Sequence, residues 1–371
     1  MLLLNNIIKT LLDIPSLKIK KKYIIILSDD WGSIRIKSYD DQQILIKKGL
    51  SINNRFDKYD SLETNSDIEY LFEILTKYKD NCGNHPVVTA VTNVANPDFI
   101  EIKKSNFLHY HYETIDKTYK RYKDSDRVLN LINEGIRLKI FIPQFHGREH
   151  LQINWWINEL KIKDSAARKF FENEFFFVPA TNLVNSYRNR GLAASFDIWD
   201  NTDLITQKEI INSGLKIFKQ LFGYNSLIFS PPALYYSPMI EDTLFNYGIR
   251  WLDVSRVFIA PGVRSLGKLQ INYLGKKKKS GLRVLIRNSI FEPYITDLDD
   301  GVNRCLKGIE SSFKRNLPAI ISNHRVAFVS RIDPLNRFRG LKALDSLLSR
   351  ILKKWPDVEF ISAVDFVNKL K

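Results

Sequence analysis

Cysteine is nearly absent from this chain: two in 371 residues, Cys82 and Cys305, far apart. Such spacing gives neither a disulfide framework nor a paired-cysteine zinc site, and it is compatible with a reducing compartment. Long apolar runs are missing too. The opening MLLLNNIIKTLLDIPSLKIKKK is broken by Asn5, Asn6, Lys9 and Asp13 before a signal-peptide core can form, and no other stretch reaches the length of a spanning helix. These absences point to a cytoplasmic protein. Leu3, Ile7, Leu11 and Leu12 suit one face of a short helix within 1–20 that docks on the domain or touches the inner face of a membrane. With no repeat and no low-complexity linker, the chain reads as one domain over 1–371 with that helix at its edge.

Carboxylates are in deficit: 41 Asp+Glu against 56 Lys+Arg, a formal net charge of +15. That field favours anionic partners such as acidic glycans, phospholipid surfaces or nucleic acid. No nucleic-acid motif accompanies it, so nucleic acid is not expected as a partner. The run Lys276 to Lys279, just before Ser280 and Gly281, reads as a solvated hairpin tip.

What is present is 44% hydrophobic content, ample for a sizeable core, and an alternation of strand-like and helix-like segments. Strands are expected at 23–28, 87–93, 138–145, 192–198, 226–229, 250–254, 284–287, 319–322 and 358–361. Helices are expected at 127–137, 207–222, 299–315 and 341–354, and another opening on Ser66 with Glu69 as a capping box. This order predicts an α/β fold with a helix-covered parallel sheet, doubly wound or closed into a barrel. Segments between 257 and 287 read as an inserted β-hairpin.

Chemistry-bearing residues gather at the expected strand ends. YIIILSDDWGSIR places Asp29 and Asp30 after the first strand; FHGREH places His146 and His150 after another; Ser230-Pro231-Pro232, Asp253 and His324 follow three more. In α/β barrels those ends form one rim. Two adjacent carboxylates at the end of a buried strand repel each other and need a cation. Two imidazoles with one carboxylate make a three-ligand site for a divalent metal ion, Zn2+ first, while the second carboxylate stays free to accept a proton. His85, His109 and His111 have no comparable setting and read as structural or exposed.

At these residues the chain resembles the polysaccharide deacetylase family (NodB-homology domain, carbohydrate esterase family 4). The likeness runs from about Tyr23 to the C-terminus. It implies a distorted (β/α) barrel that removes acetyl groups from a carbohydrate, with Asp30, His146 and His150 as metal ligands, Asp29 as base and His324 as acid. Asp253 is expected as the acidic neighbour that keeps His324 protonated. Three departures stand out: Trp31 follows the Asp pair where the family has Gly, Gly147 follows His146 where it has Ser or Thr, and SPPALYYSP lacks the arginine that pairs with the catalytic Asp. Arg35, Arg148 and Arg325 are the candidate replacements. Trp31, Trp155, Trp156, Tyr235 and Tyr236 lie near the motifs and are candidates to stack on sugar rings, although adjacent tryptophans in a helix more often belong to the core. The expected partner is an acetylated carbohydrate, anionic or linked to a lipid or nucleotide. Two rival readings keep the same rim: a glycoside hydrolase using Asp29 with Glu149, or a non-catalytic glycan binder.

Overall fold

In the segment YIIIL, apolar and mostly β-branched side chains face both ways, as a strand covered on both sides requires. In the computed structural model, which describes residues 11–185, 191–265, 267–293 and 298–370, Tyr23–Trp31 forms β1 and is buried along its whole length. It lies at the heart of a curled, mostly parallel sheet. The other strands are β2 (Val88–Asn93), β5 (Phe141–Gly147), β6 (Ile228–Phe229), β7 (Trp251–Asp253), β10 (Arg283–Leu285), β11 (Ser289–Ile290) and β12 (Ala319–His324). Their spatial order is β10-β7-β6-β5-β2-β1-β12-β11, and β13 (Glu359–Phe360) pairs with the start of β1. The result is a half-barrel of the distorted (β/α) type. Two small hairpins stand outside it: β3 (Ala95–Pro97) with β4 (Tyr112–Thr114), and β8 (Val257–Ile259) with β9 (Leu269–Ile271).

Two apolar clusters mark the two faces of the sheet. Ile24, Ile26, Val88, Ala90, Phe141, Phe229, Leu252 and Val284 face outward and join Leu71, Ile132, Phe218 and Leu344 of the surrounding helices. Ile25, Leu27, Val91, Ile228, Trp251, Leu285 and Ile320 face inward, together with Phe366 and Val367 of the C-terminal helix Ala363–Asn368. Strand alternation assigns each residue to one of these faces.

Several expected elements shift. The helix over Asn65–Lys77 opens on Thr64, whose hydroxyl accepts from Asp67 N while Asp67 accepts from Thr64 N. Ser66 and Glu69 serve elsewhere, accepting from Arg337 and Arg127. The helix expected from 207 starts at Asn201 on an Asp200/Asp203 capping box, and the one expected from 341 starts at Pro334 behind Asp333. No strand forms at 192–198: the segment turns tightly, and its carbonyls are taken by Gln152 N, Gln152 Nε2 and Gln207 Nε2 rather than by a ladder. The hairpin insertion is confined to β8 and β9, because 283–285 joins the main sheet parallel to β7. In the lysine run, Lys277 and Lys279 are exposed beside a turn, but Lys278 is folded back, its Nζ on Gln270 Oε1 and 3.6 Å from Glu241. Leu3 and Ile7 lie outside the described residues. Among the described residues no helix is long and apolar enough to cross a membrane.

Behind the loop that leaves β1 sits a fully buried ion network. Arg325 is 0% exposed; it donates to Asp60 Oδ1, to Glu63 Oε2 at 2.8 Å and to the Ser33 carbonyl at 2.6 Å. Glu63 also accepts from Gly32 N and from the Tyr119 hydroxyl. Removing one member of such a network leaves uncompensated buried charge. Arg325→Met should therefore lower stability by about 3–5 kcal/mol in urea unfolding, whereas Arg127→Met, which breaks a surface pair with Glu69, should leave it nearly unchanged.

Candidate metal and acid–base site

Continuing the inward-facing register past the last strand residues generates the site. Ile25 and Leu27 lead to Asp29, Ile228 to Ser230, Trp251 to Asp253, Leu285 to Arg287, and Ile320 and Ser322 to His324. Asp29 and His324 are direct neighbours across the β1–β12 ladder.

Asp30 breaks the alternation, and this is how two sequential carboxylates reach one mouth. Between Ser28 and Trp31 the β1–β2 register slips, so three steps along β1 match two along β2. Asp30 is the extra residue, at φ 75°, and Trp31 is returned to the outer face. A second slip between Thr92 and Asn93 makes room for His146, and Gly147 follows at φ 133°. A Cβ at Gly147 would lie 3.1 Å from the Phe196 ring, so glycine there serves both conformation and space.

The bulges bring Asp30, His146 and His150 together, all buried, with one ligand atom from each within 4.8 Å of the others. Asp30 Oδ1 is 3.3 Å from His146 Nε2 and 3.2 Å from His150 Nε2. His146 Nδ1 lies 2.5 Å from the Ser230 carbonyl, an acceptor, and so carries a proton. In the neutral ring, Nε2 then presents a lone pair to a carboxylate lone pair. Something positive must lie between them, a second ring proton or a metal ion. Contact with both imidazoles outweighs burial and holds the Asp30 carboxyl well below its usual range, while burial outweighs Asp30 and lowers His150. An ionised carboxylate and a neutral imidazole are the forms a metal ion requires. The separations also match the edge of a tetrahedron with ligand bonds of about 2.0–2.1 Å. The donor set fits a divalent cation.

Asp29 has a different partner. Arg287 grips it with two parallel bonds, Nη1 to Oδ2 and Nη2 to Oδ1, each 2.6 Å. The same guanidinium donates to Asp253 Oδ2 from Nε at 2.9 Å and from Nη2 at 2.5 Å, and to Ser230 Oγ at 3.0 Å. The three expected replacements for the missing arginine are therefore wrong. Arg35 pairs with Asp57 and lies over Phe177; Arg148 holds Glu149 and Ser213; Arg325 belongs to the network beneath. Arg287 was findable, since it lies two residues beyond inward-facing Leu285.

The expected neighbour of His324 is corrected as well. Asp253 is taken up by Arg287 and Ser230, and the carboxylate on His324 is Glu292, with Oε1 2.5 Å from Nδ1. His324 Nε2 faces Asp29 Oδ2 at 3.6 Å. Burial opposes the imidazolium, but Glu292, with Asp29 and Asp30 behind it, pushes the His324 pKa up to about 9. No periodic signal marks Glu292, which lies beyond the two-residue strand β11.

The aromatic candidates do not line the mouth. Trp31, Trp155, Trp156, Tyr235 and Tyr236 are all at most 5% exposed; Trp31 packs edge-on against Phe141 and Trp156 stacks on Phe171. Glu149 is buried against Arg148, and burial raises its carboxyl. His85 holds the Tyr78 carbonyl.

No family model matches the chain, and no curated protein matches it. Solved structures resemble it at low identity. The Xyl-CE4 domain of a multidomain xylanase from the hindgut metagenome of Trinervitermes trinervoides is 10% identical, covering 94% of this chain and 91% of that one, at a TM-score of 0.41. A GH57 branching enzyme from Thermococcus kodakaraensis is 10% identical over 95% and 72%, at 0.49. A CE4 family pseudoenzyme from Bacillus anthracis is 8% identical over 93% and 65%, at 0.41. With every score below 0.5, the functional reading rests on the geometry above.

Because the folded His324 value exceeds the ordinary 6.5, its protonation stabilises the fold fully below about 6.5, and that contribution is lost as pH rises through about 9. Replacing Glu292 by Gln removes the charge on Nδ1. The His324 titration midpoint, read by NMR, should fall by about 1–3 pH units, and the loss of stability between neutral and alkaline pH should shrink with it.

Proposed function

We propose that this protein is a metal-dependent hydrolase that removes acetyl groups from a carbohydrate. The observation that carries the reading is the convergence of Asp30, His146 and His150, one ligand atom from each, beside an acid–base pair on neighbouring strand ends. Two imidazoles and a carboxylate suit zinc best, with cobalt and nickel also fitting. A divalent cation held there supplies Lewis-acid polarisation of an acyl carbonyl and makes water more acidic.

The chain's own residues do the rest. Asp29 takes the proton of the attacking water, and its orientation is fixed because Arg287 engages both oxygens and leaves one lone pair on each. Asp30 is engaged by both imidazoles and cannot share that task. His324, protonated at neutral pH, keeps Nδ1–H on Glu292 and presents Nε2–H to the leaving nitrogen or oxygen of the sugar. The water oxygen bonds to the carbonyl carbon, the bond to the sugar atom breaks, that atom takes the Nε2 proton, and acetate departs. Asp253 and Ser230 act through Arg287 as positioning residues.

Elemental analysis should find a stoichiometric divalent metal that His146→Ala and His150→Ala lose while keeping their far-UV circular dichroism. Full occupancy in both variants would remove the ligand assignment. Asp29→Asn should retain metal yet lose roughly 10²–10⁴ in acetate release from acetylated saccharides; wild-type turnover in that variant would require another base.

A further inference from the structure

The β8–β9 hairpin shows water a face that water does not favour. Val257 pairs with Ile271 and Ile259 with Leu269, so the four side chains share one face, and they are 47%, 45%, 53% and 60% exposed. The opposite face is anchored: Phe258 is 7% exposed and packs on Tyr235 and Tyr236. An exposed ladder of β-branched and leucine side chains on a two-stranded ribbon is the kind of surface that soluble chains normally blunt with charge on the ladder itself.

Here the charge is beside the ladder and of one sign. From Val254 to Phe291 there is no Asp or Glu, while Arg256, Arg264, Lys268, Lys276 to Lys279, Arg283 and Arg287 fall in that span. Arg264, Lys268, Lys277 and Lys279 are exposed, and Lys276 Nζ sits on the Ile271 carbonyl at 2.6 Å. A second apolar element is tied alongside, because Asp13 pairs with Arg256, just before Val257, and leaves Leu11 and Ile14 59% and 66% exposed.

We propose that this hairpin docks on an anionic lipid bilayer, its four apolar side chains entering the headgroup region and its basic flank meeting lipid phosphates. Such a surface offers apolar depth and negative charge together. A second copy fits worse, because pairing hairpin with hairpin sets two basic segments against each other with no carboxylate in either. The hairpin leaves β7 just after Asp253, so docking it brings the mouth to the membrane surface.

The test is co-sedimentation of the full chain with vesicles of phosphatidylcholine alone or mixed with phosphatidylglycerol. Binding is expected only to the mixed vesicles and should weaken as salt rises. Ile259→Gln with Leu269→Gln should cut partitioning about tenfold or more, and Lys268→Glu with Lys277→Glu by a similar factor, each with unchanged melting temperature because the positions are exposed. The proposal falls if the wild type ignores mixed vesicles or if the apolar double variant binds like wild type, which would place the contact elsewhere, as on the N-terminal segment. It also falls if these substitutions abolish a concentration-dependent dimer and the wild type shows no vesicle binding.

Discussion

Asp29 and Asp30 are covalent neighbours at the end of a strand with no solvent-facing side. Removing one carboxylate from water is costly, and two so close would expel each other's charge unless each met a cation of its own. The fold separates them by a bulge and supplies distinct partners: a guanidinium for Asp29 and a two-imidazole cradle for Asp30. Most of the site is a consequence of that separation. Asp253 and Ser230 are placed to hold the guanidinium, and the Ser230 carbonyl orients His146, so one residue after β6 touches both halves.

The two halves are chemically unlike. Around Arg287 a fixed cation donates to two carboxylates and to the hydroxyls of Ser230 and Ser322, donor to acceptor throughout. Around Asp30 the contacts are acceptor to acceptor and are completed only by something positive. His324 stands between, its two nitrogens turned to Glu292 and Asp29. A proton on His324 is stabilised from both sides, which suits a group that gives a proton up only to a strongly basic leaving atom.

The sequence was most legible where alternation is strict. Asp29, Asp253 and His324 are legible as strand-end residues, and the same parity leads to Arg287, two positions after Leu285, although the run to 287 reads by itself as part of a hairpin insertion. Glu292 carries no such pattern, since it follows two-residue β11 and reaches His324 through a loop. The segment 192–198 alternates like a strand because it covers a core with every second side chain, yet two glutamine side chains take the place of a ladder. The aromatics mislead for a related reason: closeness in sequence to a strand end says nothing of which face a side chain takes, and Trp31 is turned outward by the bulge that brings Asp30 in. The Ser66 capping box lost to Thr64, two residues earlier, where the reciprocal bond is made by Asp67.

The left-handed backbone at Asp30 also bears on how such a protein could change over time. A non-glycine residue at φ 75° costs on the order of 1–3 kcal/mol, and glycine would relieve that strain while deleting the carboxylate. Stability alone thus favours losing the ligand, and the substitution that abolishes the site would give a tougher protein with the same fold. A lineage released from the need for the chemistry would drift toward a sturdier, inert descendant by a single step at this position. Aspartate in that conformation here marks a chain in which that step has not been taken.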